Sequence, residues 1–267
     1  MVQLRRIVRM GLCAGGSTPE EGGNGYGGIP RFAGWPAGLQ VEVEVCCAGE
    51  VDAGTGYFLD IKAIDRATRV ELGSALRSSL AGRTGEGAAL SRGAAGLNAA
   101  LAGAVRWVRW NVTPTYSLEV SPMEQAVALM RQKFEIAAAH RLHVSGLSEE
   151  ENLRLFGRCA NPSGHGHNYV IEPCVRVGAG GGGGRPAFTL ADLERATIAA
   201  VIDPFDHRNL NVDCPQFDVS RGGVNPSVEN ISRVFYGLLK PAIDRDGAEL
   251  VSVTVWETEK TCSTYPG

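Results

Sequence analysis

Three of the five histidines in this sequence have the spacing that a metal site requires. His165 and His167 form an H-x-H pair, and residues two apart on an extended strand point to the same face. His140 ends the alternating segment 134–140, which predicts a neighbouring strand with His140 on the same face as Ile136. Three imidazoles with an open fourth position are typical of a catalytic zinc site. The spacing therefore predicts that His140, His165 and His167 bind Zn²⁺.

More than one role remains open for the three histidines and for Cys159. The histidines could instead form hydrogen bonds in a turn, because an H-x-H pair alone is a weak signal. Cys159 lies six positions before His165 and could be a fourth ligand, a reactive thiolate or a buried small residue. His143 follows His140 by three positions, so a strand would turn it to the opposite face, and we exclude it from the site.

Two further groups could take part in proton transfer or recognition. Asp206 and His207 are adjacent in a predicted loop, and a carboxylate beside an imidazole can orient and charge a general acid or base. A structural role is the alternative, because neighbours in sequence do not necessarily touch. Glu257, near the end of the last predicted strand, could accept N–H groups of a heterocycle or form a surface ion pair.

The size and composition exclude several classes of protein. The chain has 267 residues, 44% of them apolar, which suits one large domain or two of ordinary size. A net charge of −3 and a pI of about 6.0 predict no binding to nucleic acid or to a membrane surface. We predict no membrane span and no signal peptide. The seven cysteines include no C-x-x-C pair, so we expect reduced thiols and a cytoplasmic location.

Two pairs of segments indicate an internal repeat. Segment 59–68 aligns with 188–197, and both are predicted to begin a helix after an N-cap, at Asp60 and Thr189. Segment 107–111 aligns with 253–257, so that Asn111 is the position equivalent to Glu257 in the first copy. We therefore predict a tandem duplication with a first domain at 1–120, which lacks histidine, and a catalytic domain at 121–267. Chance similarity of two amphipathic helices is the alternative.

The second copy is predicted to be an α+β unit, an antiparallel sheet with helices on one face. Ser227 is predicted to cap its last helix and Pro241 to end that helix. The glycine-rich stretches 15–28 and 178–184 are predicted to be flexible loops. The other elements are predicted as strands at 132–141, 166–177 and 249–258, helices at 190–202 and 228–240, and loops at 145–161 and 204–210.

Several motifs of the second copy, in order and spacing, closely resemble the family of 6-pyruvoyl-tetrahydropterin and 6-carboxy-tetrahydropterin synthases. The resemblance covers about 134–258 and is carried by segments 139–142, 147–159, 161–169, 204–210, 227–230 and 255–258. The first copy resembles the family more weakly, through 49–60 and 110–115. The second copy departs from the family where the glycine run stands.

The resemblance implies tandem tunnelling-fold units, each an antiparallel sheet with two helices on one face. It implies subunits joined edge to edge into barrels, with active sites between subunits. We therefore expect a homo-oligomer, for which three tandem chains could replace six single units. The implied substrate is a small molecule, the pterin 7,8-dihydroneopterin triphosphate.

The resemblance also implies a role for each matched residue. The three histidines bind zinc, and Cys159 is the base that removes a side-chain proton of the substrate. Asp206 and His207 assist proton transfer, and Glu257 anchors the pterin ring. Ser227 and Glu229 occupy a motif near the pterin.

Several reactions remain open at this point. The spacing from Cys159 to His165 favours the pyruvoyl-forming branch, although the carboxy-forming branch of queuosine biosynthesis shares the substrate and the zinc. A pterin-binding protein that has lost turnover is a third reading, against which the retained catalytic residues argue. Aldolase cleavage of dihydroneopterin usually accompanies a changed residue at the cysteine position, whereas Cys159 is present.

Overall fold

The computed structural model of the protein describes residues 1–12, 23–24, 39–82, 84–124, 126–179 and 187–267. The chain divides into two compact units. The first contains 1–130 and 177–187, and the second contains 131–176 and 188–267. The assignment of 1–120 and 121–267 as two copies of one domain remains a prediction. The glycine-rich stretches predicted as loops lie largely outside the described residues.

Within its described residues, the first unit contains four complete strands, all antiparallel to their neighbours, and two helices. The strands pair in the order β1, β2, β3, β4, and alternate residues such as Val41, Val43 and Val45 are buried. Asp60 caps the first helix by accepting a hydrogen bond from the Lys62 amide, as predicted. The elements are β1 (Val2–Leu12), β2 (Leu39–Gly49), α1 (Ile61–Leu80), α2 (Glu86–Ala100), β3 (Val105–Asn111) and β4 (Tyr116–Val120).

The second unit has the strand–helix–strand order of an α+β fold. β5 (Val127–Gln132) spans the division between the units, and β6 (Phe134–His140) opens the part that carries the histidines. The elements that follow are α3 (Glu149–Phe156), β7 (His165–Gly178), α4 (Leu190–Thr197), α5 (Asp203–Phe205), β8 (Arg208–Asn209), α6 (Leu210–Asp213), α7 (Val228–Ile243), β9 (Ala248–Thr258) and β10 (Thr261–Tyr265). β6 pairs with β7, β7 with β9, and β9 with β10, and α7 packs on β9 and β10. The α+β class is confirmed.

Two predictions about the second unit are wrong at particular residues. The predicted loop 145–161 contains α3. This helix begins with a capping box, in which the side chains of Ser148 and Glu151 each accept a hydrogen bond from the other residue's amide. The last long helix does not stop at Pro241 but continues to Ile243. Pro241 lies in the last turn, where only one N–H is lost, and the fully buried Ile243 holds that turn against the core.

An unusual helical path leads to the predicted acid–base loop. α4 continues into a π-helical turn at 198–202, and α5 follows directly. Wide turns of this kind are rare and frequently occur at functional sites. Phe205, the last residue of α5, is buried with its ring 5.0 Å from Phe235 of α7 and 6.0 Å from Phe217. This packing anchors the chain immediately before Asp206.

The repeat alignment needs one correction on the final strands. In β3 the buried side chains include Val108 and Trp110, so Asn111 lies on the opposite face, where it donates to Glu42. In β9 the buried side chains are Val253 and Val255, and Glu257 shares their face. Asn111 therefore does not correspond to Glu257, because a shift of one residue moves a side chain to the other face of a sheet.

Two broader features complete the description of the chain. No helix in the described ranges is both long and apolar enough to cross a bilayer. The described cysteines are all free thiols: Cys46, Cys47, Cys159, Cys174, Cys214 and Cys262.

The N-cap of α4 allows a direct test of local stability. The Thr189 hydroxyl accepts a hydrogen bond from the Asp192 amide, and the Asp192 carboxylate accepts one from the Thr189 amide. We expect Thr189→Ala to lower the free energy of unfolding by about 1 kcal/mol, because the Asp192 amide at the helix N-terminus loses its acceptor. Urea unfolding measures the change, and Thr189→Ser, which keeps the hydroxyl, should stay near wild type. Equal stability of the alanine variant would contradict the role of the cap.

Candidate metal centre and active site

The pairing of β6 with β7 brings the three imidazoles together. His140 lies directly opposite His165, and Ala138 lies directly opposite His167. Directly paired residues of antiparallel strands share a face, and residues two apart share it as well. All three imidazoles therefore project from the same face of two adjacent strands, which confirms the predicted arrangement.

The distances between the rings suit a single ion. His140 Nε2 and His165 Nε2 are 3.1 Å apart, and the candidate ligand atoms of the three residues all lie within 4.8 Å of one another. A tetrahedral zinc with Zn–N bonds of about 2.0–2.1 Å would separate two ligand nitrogens by about 3.3 Å. The His140, His165 and His167 group could therefore hold a metal ion after small adjustments.

The protonation of the histidines also fits metal binding. His140 is fully buried, and burial lowers its pKa to about 4, so its ring is neutral near pH 7. Its Nδ1 lies 2.7 Å from the Pro226 carbonyl oxygen, an acceptor, so Nδ1 carries the proton and Nε2 offers a lone pair. Burial likewise lowers the pKa of His167, whose buried Nε2 has no hydrogen-bond partner among the described residues. A bound cation would satisfy that nitrogen.

Glu257, near the end of β9, lies beside the three imidazoles. Its Oε1 is 3.3 Å from His140 Nε2 and 3.6 Å from His167 Nε2, and its side chain is mostly buried. The carboxylate that was predicted to recognise a heterocycle is therefore brought to the same place as the predicted metal ligands. A molecule bound at an open metal position would meet it as a hydrogen-bond acceptor.

Cys159 is half-buried on a 3₁₀ turn, 157–160, which follows α3. Burial raises the pKa of its thiol, and the negative charge of Glu257 raises it further. The Cys159 carbonyl accepts a hydrogen bond from the Leu142 amide at 2.8 Å, which holds the turn beside the chain that follows His140. A cation held nearby would act in the opposite direction and favour the thiolate.

Tyr169 is a residue of this centre that the sequence analysis missed. It is fully buried, with its ring 5.5 Å from the ring of His167 and 6.0 Å from that of His140. Its buried hydroxyl has no hydrogen-bond partner among the described residues, and burial raises its pKa. Its position two residues after His167 was the available signal, because strand alternation puts both on one face.

Asp206 and His207 contact each other and are hydrogen-bonded to the main chain of β6. Asp206 Oδ2 is 2.9 Å from His207 Nδ1, and Asp206 Oδ1 accepts a hydrogen bond from the Ala137 amide at 2.9 Å. The Ala137 amide, followed by His207, lowers the pKa of Asp206, so this carboxylate is charged. His207 has a φ of +56°, which strains a non-glycine residue, and its side chain is 81% exposed.

The surroundings of His207 show where the pair lies in the sheet. The His207 amide donates to the Ala137 carbonyl, and the next two residues, Arg208 and Asn209, pair with β6 as the parallel strand β8. His207 also lines an open pocket of about 650 Å³ with residues of β6, β7 and β8: Ala137, Ala138, Ala139, Gly166, His167, Asn168, Arg208 and Asn209. The acid–base pair therefore lies along the edge of β6 that pairs with β8, and the predicted ligand His167 lines the same pocket.

The two remaining predicted residues lie at the start of α7. Ser227 caps this helix by accepting a hydrogen bond from the Asn230 amide at 3.4 Å, as predicted. Glu229 lies in the first turn and is exposed. Because the Pro226 carbonyl contacts His140, the beginning of α7 borders the histidine cluster. Among the described contacts, none joins Glu229 to the imidazoles.

The fold and the cluster define an α+β protein with a candidate three-histidine metal centre. Residues 129–267, more than half of the chain, match the sequence model of the 6-pyruvoyl tetrahydropterin synthase family. The chain belongs to this family, which confirms the resemblance of its second half.

Individual relatives show the same extent of similarity. The human 6-pyruvoyl tetrahydrobiopterin synthase is 35% identical over 140 residues, which are 52% of this chain and 92% of that protein. The Drosophila melanogaster 6-pyruvoyl tetrahydrobiopterin synthase is 31% identical over 144 residues, 54% of this chain and 82% of the relative. The solved structure of the Caenorhabditis elegans 6-pyruvoyl tetrahydropterin synthase is 35% identical in sequence, with a TM-score of 0.47. The match covers 53% of this chain and 96% of the C. elegans chain.

Proposed function

We propose that this protein is a zinc-dependent lyase that converts 7,8-dihydroneopterin triphosphate to 6-pyruvoyl-tetrahydropterin and releases triphosphate. The observation that carries the proposal is the convergence of His140, His165 and His167 with the Glu257 carboxylate, next to the turn that carries Cys159. The pyruvoyl product is favoured because relatives that match about half of this chain carry the name of 6-pyruvoyl tetrahydrobiopterin synthases.

The proposed roles follow from the chemistry of the substrate. Zinc held by the three histidines supplies a Lewis acid for the side-chain hydroxyls of the substrate. Cys159 removes a proton from a side-chain carbon, which requires a thiolate, and Glu257 accepts N–H groups of the pterin ring and so orients the substrate. Ser227, at the start of α7 beside His140, borders the pterin, and Glu229 is assigned there by the resemblance alone.

The proton-transfer pair is proposed to act between copies of the chain. Asp206 orients His207 through the 2.9 Å contact and keeps it ready to exchange a proton. Since the pair lies along the edge of β6 that pairs with β8, and His207 is 81% exposed, it would be accessible to a neighbouring subunit, whose Cys159 it would serve. A homo-oligomer is proposed on this ground, in which the first copy fills a barrel position beside the second. A cytoplasmic location is proposed separately, because the cysteine pattern predicts reduced thiols.

The proposed function is tested by incubating the zinc-loaded protein with 7,8-dihydroneopterin triphosphate. Triphosphate release is expected, and mass spectrometry should show the 6-pyruvoyl product. A 6-carboxy product would instead place the protein in the queuosine branch of the family. No release above that of Cys159→Ala would favour a pterin-binding protein without turnover.

The role of Glu257 gives a prediction of its own. We expect Glu257→Gln to raise KM for the pterin by roughly 10-fold or more, since hydrogen bonds to a charged acceptor contribute about 1.5–3 kcal/mol. Zinc content should stay unchanged, because the histidines hold the ion. Steady-state kinetics measure the effect, with Glu259→Gln as the matched control at an exposed position two residues away. An unchanged KM would remove Glu257 from pterin recognition.

A further inference from the structure

The chain that follows the predicted ligand His140 runs beside the turn that carries Cys159. The Leu142 amide donates to the Cys159 carbonyl at 2.8 Å. Arg141 Nε donates to the Ala160 carbonyl at 2.9 Å. The turn that carries Cys159 is therefore tied, at Cys159 and at Ala160, to the two residues that come directly after a predicted ligand. These two bonds hold the turn beside the end of β6.

The same turn is also coupled to α3. Gly157 joins the end of α3 to the turn with a φ of +56°, a conformation that other residue types adopt only with strain. Cys159 follows two residues later. A change in the orientation of α3 would therefore be transmitted to the thiol.

Asn152 fixes the orientation of α3. Its side chain is fully buried, and Oδ1 accepts a hydrogen bond from the Val144 amide at 2.8 Å. Its Nδ2 donates to the carbonyls of Val144, Leu147 and Ser148 at 3.0–3.2 Å. A buried amide whose partners are all main-chain groups holds backbone segments together. Asn152 thus fastens α3 to the chain that continues from His140.

We propose that Asn152 is a positioning residue, which fixes the Cys159 thiol relative to the histidine cluster through main-chain hydrogen bonds. This inference rests on the function proposed above. Proton abstraction depends steeply on geometry, and a displacement of about 1 Å can lower the rate about 100-fold. The metal ligands and Glu257 lie on strands β6, β7 and β9, so loosening α3 should spare substrate binding.

Kinetics of Asn152→Ala test the proposal. We expect kcat to fall about 30- to 100-fold, with KM changed less than about threefold and zinc content unchanged. Glu150→Gln, at an exposed position of the same helix, is the matched control and should keep the wild-type kcat. A wild-type kcat in Asn152→Ala would overturn the proposal. Loss of zinc together with activity would overturn it as well, since Asn152 would then support the whole unit.

Two measurements follow the position of the thiol without relying on activity. Hydrogen exchange at the Leu142 amide should become faster in Asn152→Ala, while the β6–β7 amides stay protected. The rate of Cys159 alkylation by iodoacetamide should change relative to that of the exposed Cys262, read by peptide mass spectrometry. If the wild type releases no triphosphate but both readouts respond, the proposed function fails and the positioning role stands. Unchanged exchange and alkylation would refute the positioning role.

Discussion

His167→Ala is expected to deprive the protein of its bound metal. His167 contributes one of three converging imidazoles, and its buried Nε2 has no hydrogen-bond partner among the described residues. Loss of a residue that merely supports a ligand weakens metal binding about 10- to 100-fold, so loss of a ligand itself should exceed about 100-fold. Metal analysis after dialysis should give near one zinc per chain for wild type and almost none for the variant. Triphosphate release should be lost in parallel.

His143→Ala is the matched control for this experiment. His143 is close in sequence to His140, but it lies outside the cluster and contacts the exposed Glu149 at 3.4 Å. We therefore expect the control to keep its zinc and its activity. If His167→Ala retained a full equivalent of zinc after dialysis, the three-histidine centre would be refuted.

Cys159→Ala is expected to abolish turnover while leaving the metal centre intact. General base catalysis contributes about 10²–10⁴-fold to a rate, and a methyl group cannot accept a proton. The expected result is therefore a loss of kcat of that size with normal zinc content. Binding of the pterin should persist, since Glu257 and the histidines remain. Single-turnover assays of triphosphate release and equilibrium binding of the pterin measure the two effects separately.

The free thiols of the chain provide the control for this second experiment. Cys262 is exposed on β10, and Cys262→Ala should keep the wild-type kcat. Alkylation that inactivates the wild type should leave its zinc in place. A Cys159→Ala variant with unreduced turnover would show that another group is the base, and Tyr169, with its unpartnered buried hydroxyl, would then be the next residue to replace.

Much of the candidate site could be predicted because it depends on local periodicity. A strand period of two places His165 and His167 on one face, and the alternating segment before His140 gives the face of that residue. The caps at Asp60, Thr189 and Ser227 were predictable for the same reason, since a cap involves only neighbouring residues.

Other features could not be predicted because their local signal is weak or because distant residues outweigh it. The capping box of α3 was present in the sequence, but a helix of eight residues is too short to give a strong periodic signal. Pro241 ends many helices, yet burial of Ile243 outweighs the loss of one hydrogen bond here. Asn111 and Glu257 looked equivalent, because sequence similarity of two strands does not fix which face each residue occupies.

The sequence by itself determined that three imidazoles would project from extended strands and which family the second half resembles. The tertiary structure alone decided that His140 pairs with His165, that Glu257 from β9 joins the cluster, and that Asp206 and His207 lie along the β8 edge of β6. The reason is physical. The side-chain face of a strand follows from its own alternation, whereas register and strand order are set by packing between segments far apart in the chain.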